Sequence, residues 1–206
     1  MTRRVGILGG TFDPIHQGHL NAGVAAQKAL GLSPILVMPS HVPPHRRMPV
    51  ASAFHRFAMV ALATAPVAHF RTSTIELDSL ARRYTVETLE LMQHIYPGSQ
   101  LIFVLGTDMF EEIESWKDYR RLFDLAHLVI VNRPGFPFRD DVAPFQVLAE
   151  DQNIFLPDKP AVFYMPFVRQ PISSTQIRDK YRSGQQARQW VPPPVGNYIE
   201  RHKLYL

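Results

Sequence analysis

A short apolar run, Val5-Gly6-Ile7-Leu8, passes directly into Gly9-Gly10 and then through Thr11-Phe12-Asp13-Pro14-Ile15-His16-Gln17-Gly18-His19-Leu20. An apolar run of this length that stops at paired glycines is a buried strand entering a tight loop. From Gly18 to Leu30, alanines and leucines recur at helical spacing until Gly31, a residue suited to a left-handed helix stop. Strand, glycine loop and helix in direct succession open a βαβ unit. They commit the chain to a parallel sheet with helices packed over it.

The alternation continues. Ile35 to Met38 is a second strand, and Pro39 to Pro49 a proline-rich loop carrying His45, Arg46 and Arg47. Ser52 can cap a helix whose buried face is formed by Phe54, Phe57, Ala58, Ala61 and Leu62. Phe70 to Leu77 is extended, and Val86, Leu89 and Ile95 share a helix that Pro97-Gly98 ends. Leu101 to Leu105 is a strand followed at once by Gly106-Thr107-Asp108. Leu128 to Val131 is another, ending at Asn132-Arg133-Pro134-Gly135. Ala161 to Met165 is the last strand; Ser174 to Arg182, stopping at Gly184, and Val195 to His202 are the last helices. The expected fold is α/β, a Rossmann-like doubly wound parallel sheet with helices on both faces. Residues 1–206 form a single domain, and the proline-punctuated segment 136–160 is an excursion from it. Ligands of such sheets bind beyond the carboxyl ends of the strands, so the loops at Gly9-Gly10, Gly106 and Gly135 should face one crevice.

The chain contains no cysteine, which excludes disulfides and thiolate metal sites. Its formal charge of +4 is dispersed in pairs such as Arg3-Arg4, Arg82-Arg83 and Arg120-Arg121. That pattern suits a small phosphate-bearing substrate and argues against a nucleic-acid partner. The apolar stretch from Phe57 to Ala68 is too short to span a bilayer, and the residues after Arg3-Arg4 do not form a signal peptide. No membrane partner is expected, and the expected compartment is the cytoplasm.

The glycine loop fits neither the Walker A pattern nor the dinucleotide fingerprint. Its glycines nonetheless admit a phosphate close to the backbone, whose N–H groups can cradle anionic oxygens. His16 and His19, three apart at the start of a helix, point to one side where the helix dipole is positive. Two imidazoles there can donate hydrogen bonds to phosphate oxygens. Either histidine alone would be an ordinary turn or capping residue; the combination with the glycines is what points to a site. Asp13 is the only carboxylate in the motif, which argues against a protein-held metal.

The pattern G-G-T-F-D-P-x-H-x-G-H resembles the nucleotidyltransferase superfamily that shares the H-x-G-H element with class I aminoacyl-tRNA synthetases. Ile172-Ser173-Ser174-Thr175-Gln176-Ile177-Arg178 resembles that superfamily's second element. In physical terms, Ser173 or Ser174 can cap a helix, and Arg178 adds a forked cationic donor. Pro43-Pro44-His45-Arg46, Tyr84-Thr85, Gly106-Thr107-Asp108, Trp116 and Arg133-Pro134-Gly135 follow in the order found in bacterial nicotinate-nucleotide adenylyltransferases. The likeness runs from Gly9 to about Arg178; segment 136–160 carries no motif of that family.

The resemblance implies adenylyl transfer from ATP to the 5′-phosphate of nicotinate mononucleotide, with Mg²⁺ bridged mainly by the ATP phosphates. It implies a catalytic set of His16, His19 and Arg178. It also implies an ATP site that adds Gly9, Gly10, Thr11, Phe12, Gly106, Asp108, Arg133, Ser174 and Thr175. For the mononucleotide it implies His45, Arg46, Tyr84, Thr85 and Trp116. Three alternatives stay open at this point: nicotinamide mononucleotide as acceptor, pantetheine phosphate as acceptor, and a non-catalytic nucleotide-binding module on the same fold. The oligomeric state is not legible from the sequence.

Overall fold

The first strand, β1 (Arg4–Gly10), is buried at Val5 to Leu8 and pairs in parallel with β2 (Ile35–Pro39) on one side and β4 (Gln100–Gly106) on the other. The structure, a computed structural model, describes residues 2–40, 48–78, 84–149, 154, 156–166 and 172–206. His45 and Arg46, with the rest of the segment 41–47, lie outside the described residues. With β3 (Phe70–Thr72), β5 (His127–Val131), β6 (Phe145–Val147) and β7 (Val162–Met165), the sheet has seven strands in the order β3-β2-β1-β4-β5-β7-β6. Every pairing is parallel. The order reverses between β1 and β4, so the loops after these two strands diverge and leave a crevice between them.

Strand periodicity sorts the core into two layers. Leu8, Ile102, Val104, Val129 and Val131 face α1 (Gln17–Leu30), α2 (Ala53–Thr64), α6 (Ser174–Arg182) and α7 (Pro193–Arg201). Val5, Ile7, Leu101, Phe103, Leu105, Leu128 and Ile130 face α3 (Thr85–Ile95), α4 (Thr107–Glu111) and α5 (Tyr119–Leu125). Successive side chains of a strand point to opposite faces, and here both faces are covered, which is why the central strands run without a polar side chain over Val5 to Leu8, Leu101 to Leu105 and Leu128 to Val131. The α/β doubly wound reading of the sequence is therefore correct. Gly31 ends α1 at φ +63, as its position after Leu30 implied.

Several local expectations need correction. The buried face of α2 is Arg56, Met59, Val60, Ala63 and Thr64, whereas Phe54 and Leu62 are exposed. This helix is apolar on two sides, so its pattern alone could not choose between them. The choice follows Arg56, whose guanidinium donates to the carbonyls of Thr11 (2.7 Å), Ser40 (2.6 Å) and Ala51 (3.3 Å). The extended segment from Phe70 stops at Thr72; Leu77 and Asp78 then close a turn onto the Thr74 carbonyl. Val86, Leu89 and Ile95 share α3 as expected, with Ile95, its last residue, 47% exposed. The segment 136–160 contributes β6 at the sheet edge, and α4, α5 and β6 are too short for hydrophobic periodicity to mark. Gly135 does not line the crevice. It sits at φ +91 in a turn closed by an Arg133–Phe136 bridge, while Asn132 and Arg133 behind it face inward.

Candidate active site

The crevice at the carboxyl ends of β1, β4 and β5 holds a cavity of about 390 Å³. Its floor is the β1–α1 loop, Gly9 to Asp13, followed by His16 and His19. Phe12 adopts φ +50, a conformation costly for a bulky residue, and its buried ring meets the His19 ring edge-on at 4.9 Å. Gly10 allows this arrangement, because a Cβ there would stand 3.0 Å from the Phe12 ring.

His16 is the N-cap of α1. Its Nδ1 accepts the Gly18 N–H at 3.1 Å, and the His16 N–H donates to Nδ1 of His19 at 3.2 Å. This reciprocal pair is a capping box built from two imidazoles instead of Ser and Glu. The two rings lie 3.7 Å apart at 30°. Because each Nδ1 is an acceptor, each neutral ring carries its proton on Nε2. Charge state follows from the surroundings. Burial, then the Arg133 guanidinium, pushes His16 down to about 3. Burial, then His16 and Arg133, holds His19 well below the usual imidazole range. Near neutral pH the pair therefore offers two Nε2–H donors and no positive charge.

Across the cavity, Ser173 caps α6 by accepting the Gln176 N–H at 3.2 Å, and the side-chain Oε1 of Gln176 in return accepts the Ser173 N–H at 2.9 Å. Ser174 Oγ donates to the Pro14 carbonyl (2.9 Å), tying the start of α6 to the β1–α1 loop. Arg178 Nη1 donates to the Asp13 carbonyl (2.7 Å) and Nη2 to Thr175 Oγ1 (3.1 Å). The amino ends of α1 and α6 both border the cavity, so two helix dipoles bias it toward anions.

On the far wall, Asp108 pairs with the guanidinium of Arg133. Thr107 Oγ1 accepts the Arg133 N–H at 3.0 Å, which joins the loops after β4 and β5. Gly106 precedes this knot, and a Cβ there would strike the Asp108 carboxylate. Thus Gly9, Gly10, Thr11, Phe12, His16, His19, Gly106, Asp108, Arg133, Ser174, Thr175 and Arg178 line one cavity.

Tyr84, Thr85 and Trp116 stand apart from that lining, over the other face of the sheet. Tyr84 is the N-cap of α3 and Thr85 its first residue. Trp116 packs edge-on against Phe103 at 6.3 Å, and Phe103 in turn stands 3.5 Å from where a Cβ of Gly9 would lie. Lys117, next to Trp116, places Nζ 4.6 Å over the Tyr84 ring. The structure thus gathers Tyr84 and the Trp116-Lys117 segment into one neighbourhood, separated from the glycine loop by a single aromatic ring.

Three residues at the site were not singled out from the sequence. Asp13 is 4% exposed, and its carboxylate accepts from the Val50 N–H (2.7 Å), the Ala51 N–H (3.1 Å) and Tyr205 Oη (2.7 Å). Arg56, 1% exposed, holds the glycine loop from beneath through Thr11. Tyr205 reaches Asp13 from beyond α7. Asp13 sat in the motif and could have been flagged as its only acceptor for neighbouring N–H groups. Arg56 and Tyr205 act through tertiary contacts that no local pattern encodes.

Residues 7–180 match the family described as cytidylyltransferase-like, so the site belongs to a nucleotidyltransferase of that class. Among curated proteins, a Shewanella protein named "probable nicotinate-nucleotide adenylyltransferase" is 38% identical over 213 residues, covering 98% of this chain and 99% of its own length. A Thermus thermophilus protein of the same name is 40% identical over 202 residues, with the same coverage. The chain belongs to the nicotinate-nucleotide adenylyltransferase family. The fold is also that of the Plasmodium falciparum nicotinic acid mononucleotide adenylyltransferase solved with NaAD. That structure superposes with a TM-score of 0.75 at 18% identity, over 98% of this chain and 97% of the other.

Proposed function

We propose that this chain, acting in the cytoplasm, transfers the adenylyl group of ATP to the 5′-phosphate of nicotinate mononucleotide. The products are nicotinate adenine dinucleotide and pyrophosphate, a step of NAD biosynthesis. The observation that carries the proposal is the pair of neutral imidazoles at the start of α1, each with Nδ1 occupied by a backbone N–H. They face a second helix start and Arg178 across one cavity.

An acceptor phosphate is already ionised at neutral pH, so its attack on the α-phosphorus needs no general base. What the protein must supply is alignment and stabilisation of the negative charge that builds on the transferring group and on the leaving pyrophosphate. His19 Nε2–H and His16 Nε2–H donate to phosphate oxygens without changing protonation state, and their capping bonds hold the rings in place before substrate arrives. Arg178 and the start of α6, at Ser174 and Thr175, receive the β- and γ-phosphates. Gly9, Gly10, Thr11 and Phe12 supply close backbone approach. Gly106, Asp108 and Arg133 border the nucleoside. Trp116, with Tyr84 and Thr85, receives the nicotinate ring and its carboxylate, and His45 and Arg46 the acceptor phosphate.

The donor set suits Mg²⁺ carried on ATP oxygens and waters. Asp13 is committed to three hydrogen bonds and Asp108 to Arg133, and among the described residues no group of three or more His, Cys, Asp or Glu is placed to hold an ion. Magnesium bound in this way neutralises phosphate charge.

Incubation of the protein with ATP, Mg²⁺ and nicotinate mononucleotide, followed by chromatography, tests the proposal. Equimolar dinucleotide and pyrophosphate are expected. Hydrolysis of ATP to AMP without dinucleotide, or no turnover by folded protein, would overturn it.

A further inference from the structure

Tyr205 lies beyond α7 and beyond the 7–180 span that carries the family match, yet its hydroxyl reaches the centre of the site. Two residues in left-handed backbone conformations, Lys203 (φ +51) and Tyr205 (φ +66), turn the chain back after α7. The Leu204 N–H donates to the Ile199 carbonyl at 3.0 Å and fixes this return. The turn seats the Tyr205 ring, 5% exposed, in the core layer shared by α1, α2, α6 and α7. A bulky residue holding a positive φ is costly, and the surrounding packing has to over-determine it.

The destination of the hydroxyl is specific. Oη donates to Asp13 Oδ1 at 2.7 Å, across 192 residues of chain. Asp13 then works in two directions. Its carboxylate takes the N–H groups of Val50 and Ala51, and its main-chain carbonyl takes Nη1 of Arg178 at 2.7 Å. The same guanidinium nitrogen stands 3.8 Å from Asp13 Oδ2. Asp13 is separated from the His16 cap only by Pro14 and Ile15, and Pro14 is itself held by Ser174. The hydroxyl thus lies at the base of a chain of contacts that runs through Asp13 to Arg178 and to the start of α1.

We propose that Tyr205 is a positioning residue for adenylyl transfer. Its hydroxyl fixes the rotation of the Asp13 carboxylate, and with it the carbonyl that aims Arg178 at the leaving phosphates. Without the hydroxyl, Asp13 Oδ1 loses the shorter of its two donors and keeps only the Ala51 N–H at 3.1 Å. Asp13 then re-orients toward the Arg178 guanidinium 3.8 Å away and draws it off the cavity. The proposal rests on the functional reading given above.

The test is a double-mutant cycle of Tyr205→Phe and Arg178→Ala, with kcat, KM for ATP and thermal midpoint measured for all four proteins well below their melting temperatures. Tyr205→Phe keeps the ring and removes only the hydroxyl. In the otherwise natural chain it is expected to lower kcat about tenfold, the order expected for a misaligned phosphate donor. In the Arg178→Ala background it should change kcat by less than about twofold while still lowering the midpoint. A kcat unchanged by Tyr205→Phe despite a lowered midpoint would show a structural hydroxyl and overturn the proposal. Equal losses in both backgrounds would overturn the route through Arg178. A natural chain that releases no pyrophosphate with nicotinate mononucleotide would instead contradict the functional reading itself. If Tyr205→Phe did not fold, amide hydrogen exchange at Val50 and Ala51 in the natural chain would decide. Protection equal to that of the β4 amides supports the tether, and free exchange overturns it.

Discussion

Arg178 and Asp13 are 165 residues apart in the chain, and Nη1 of the first donates to the main-chain oxygen of the second at 2.7 Å. Nη2 of the same guanidinium reaches Thr175 Oγ1 at 3.1 Å, so its fork is anchored at two points before any substrate binds. A lysine offers one nitrogen in place of two and cannot reproduce this planar fork. Arg178→Lys is expected to lower kcat about 10²-fold and Arg178→Ala more, with both variants folded. Steady-state kinetics at varied ATP measures this. A lysine variant with normal kcat would mean that the fork does not matter.

His19 does two separable things with its two nitrogens. Nδ1 closes the capping box with the His16 N–H, and Nε2 is the nitrogen to which the proposed function assigns the phosphate. Asparagine places a polar group where Nδ1 stands, and glutamine reaches toward Nε2. His19→Asn is expected to keep the thermal midpoint and lose roughly 10²–10³ in kcat, the scale of one transition-state donor. His19→Gln should recover part of kcat at some cost to the midpoint. Equal kcat in both variants would contradict the division of labour.

The protonation of His16 has a definite sign in stability. Its value in the folded protein is about 3, against an ordinary value of 6.5. As pH falls below 6.5 the unfolded chain takes up a proton that the folded chain refuses, so stability falls from there down to about pH 3. Between pH 7 and 5 this one residue is expected to cost about 2 kcal/mol. His16→Asn keeps a capping acceptor and should lose correspondingly less in urea titrations at the two pH values. Matching losses in both proteins would show that His16 titrates normally.

Trp116 is half-buried against Phe103 and does not border the cavity lined by the glycine loop, His16 and His19. Trp116→Ala is expected to raise KM for nicotinate mononucleotide at least tenfold and leave KM for ATP within about twofold, consistent with loss of one aromatic stacking partner. Comparable rises in both values would assign the ring to packing alone.

How much of this could be read from the sequence depends on the range of the interactions. The strands at Val5, Ile35, Leu101 and Leu128 and the helix stop at Gly31 rest on local period and local backbone preference, and they appear where expected. The H-x-G-H loop was legible because it follows glycines at a strand end, and the Ser174-Arg178 segment only because it resembles a known superfamily element; both line the one cavity. The inner face of α2 was not legible, because its choice depends on carbonyls of Thr11 and Ser40 that only the fold brings to Arg56. Tyr205 was invisible for the same reason: nothing near it in sequence indicates an acceptor 192 residues away. The separation of Trp116 from the cavity arises because Phe103 and its neighbours alternate across β4, a consequence of pleat rather than of spacing between motifs.

The central claim is that the cavity aligns ATP for attack by one particular phosphate acceptor. Its most direct test is pyrophosphate release with ATP and Mg²⁺, offering nicotinate mononucleotide, nicotinamide mononucleotide and pantetheine phosphate in parallel. For the nicotinate form kcat/KM is expected to exceed the other two by at least about 10²-fold, since only that acceptor carries a ring carboxylate for Tyr84, Thr85 and Trp116 to receive. Faster turnover with either of the other acceptors would contradict it.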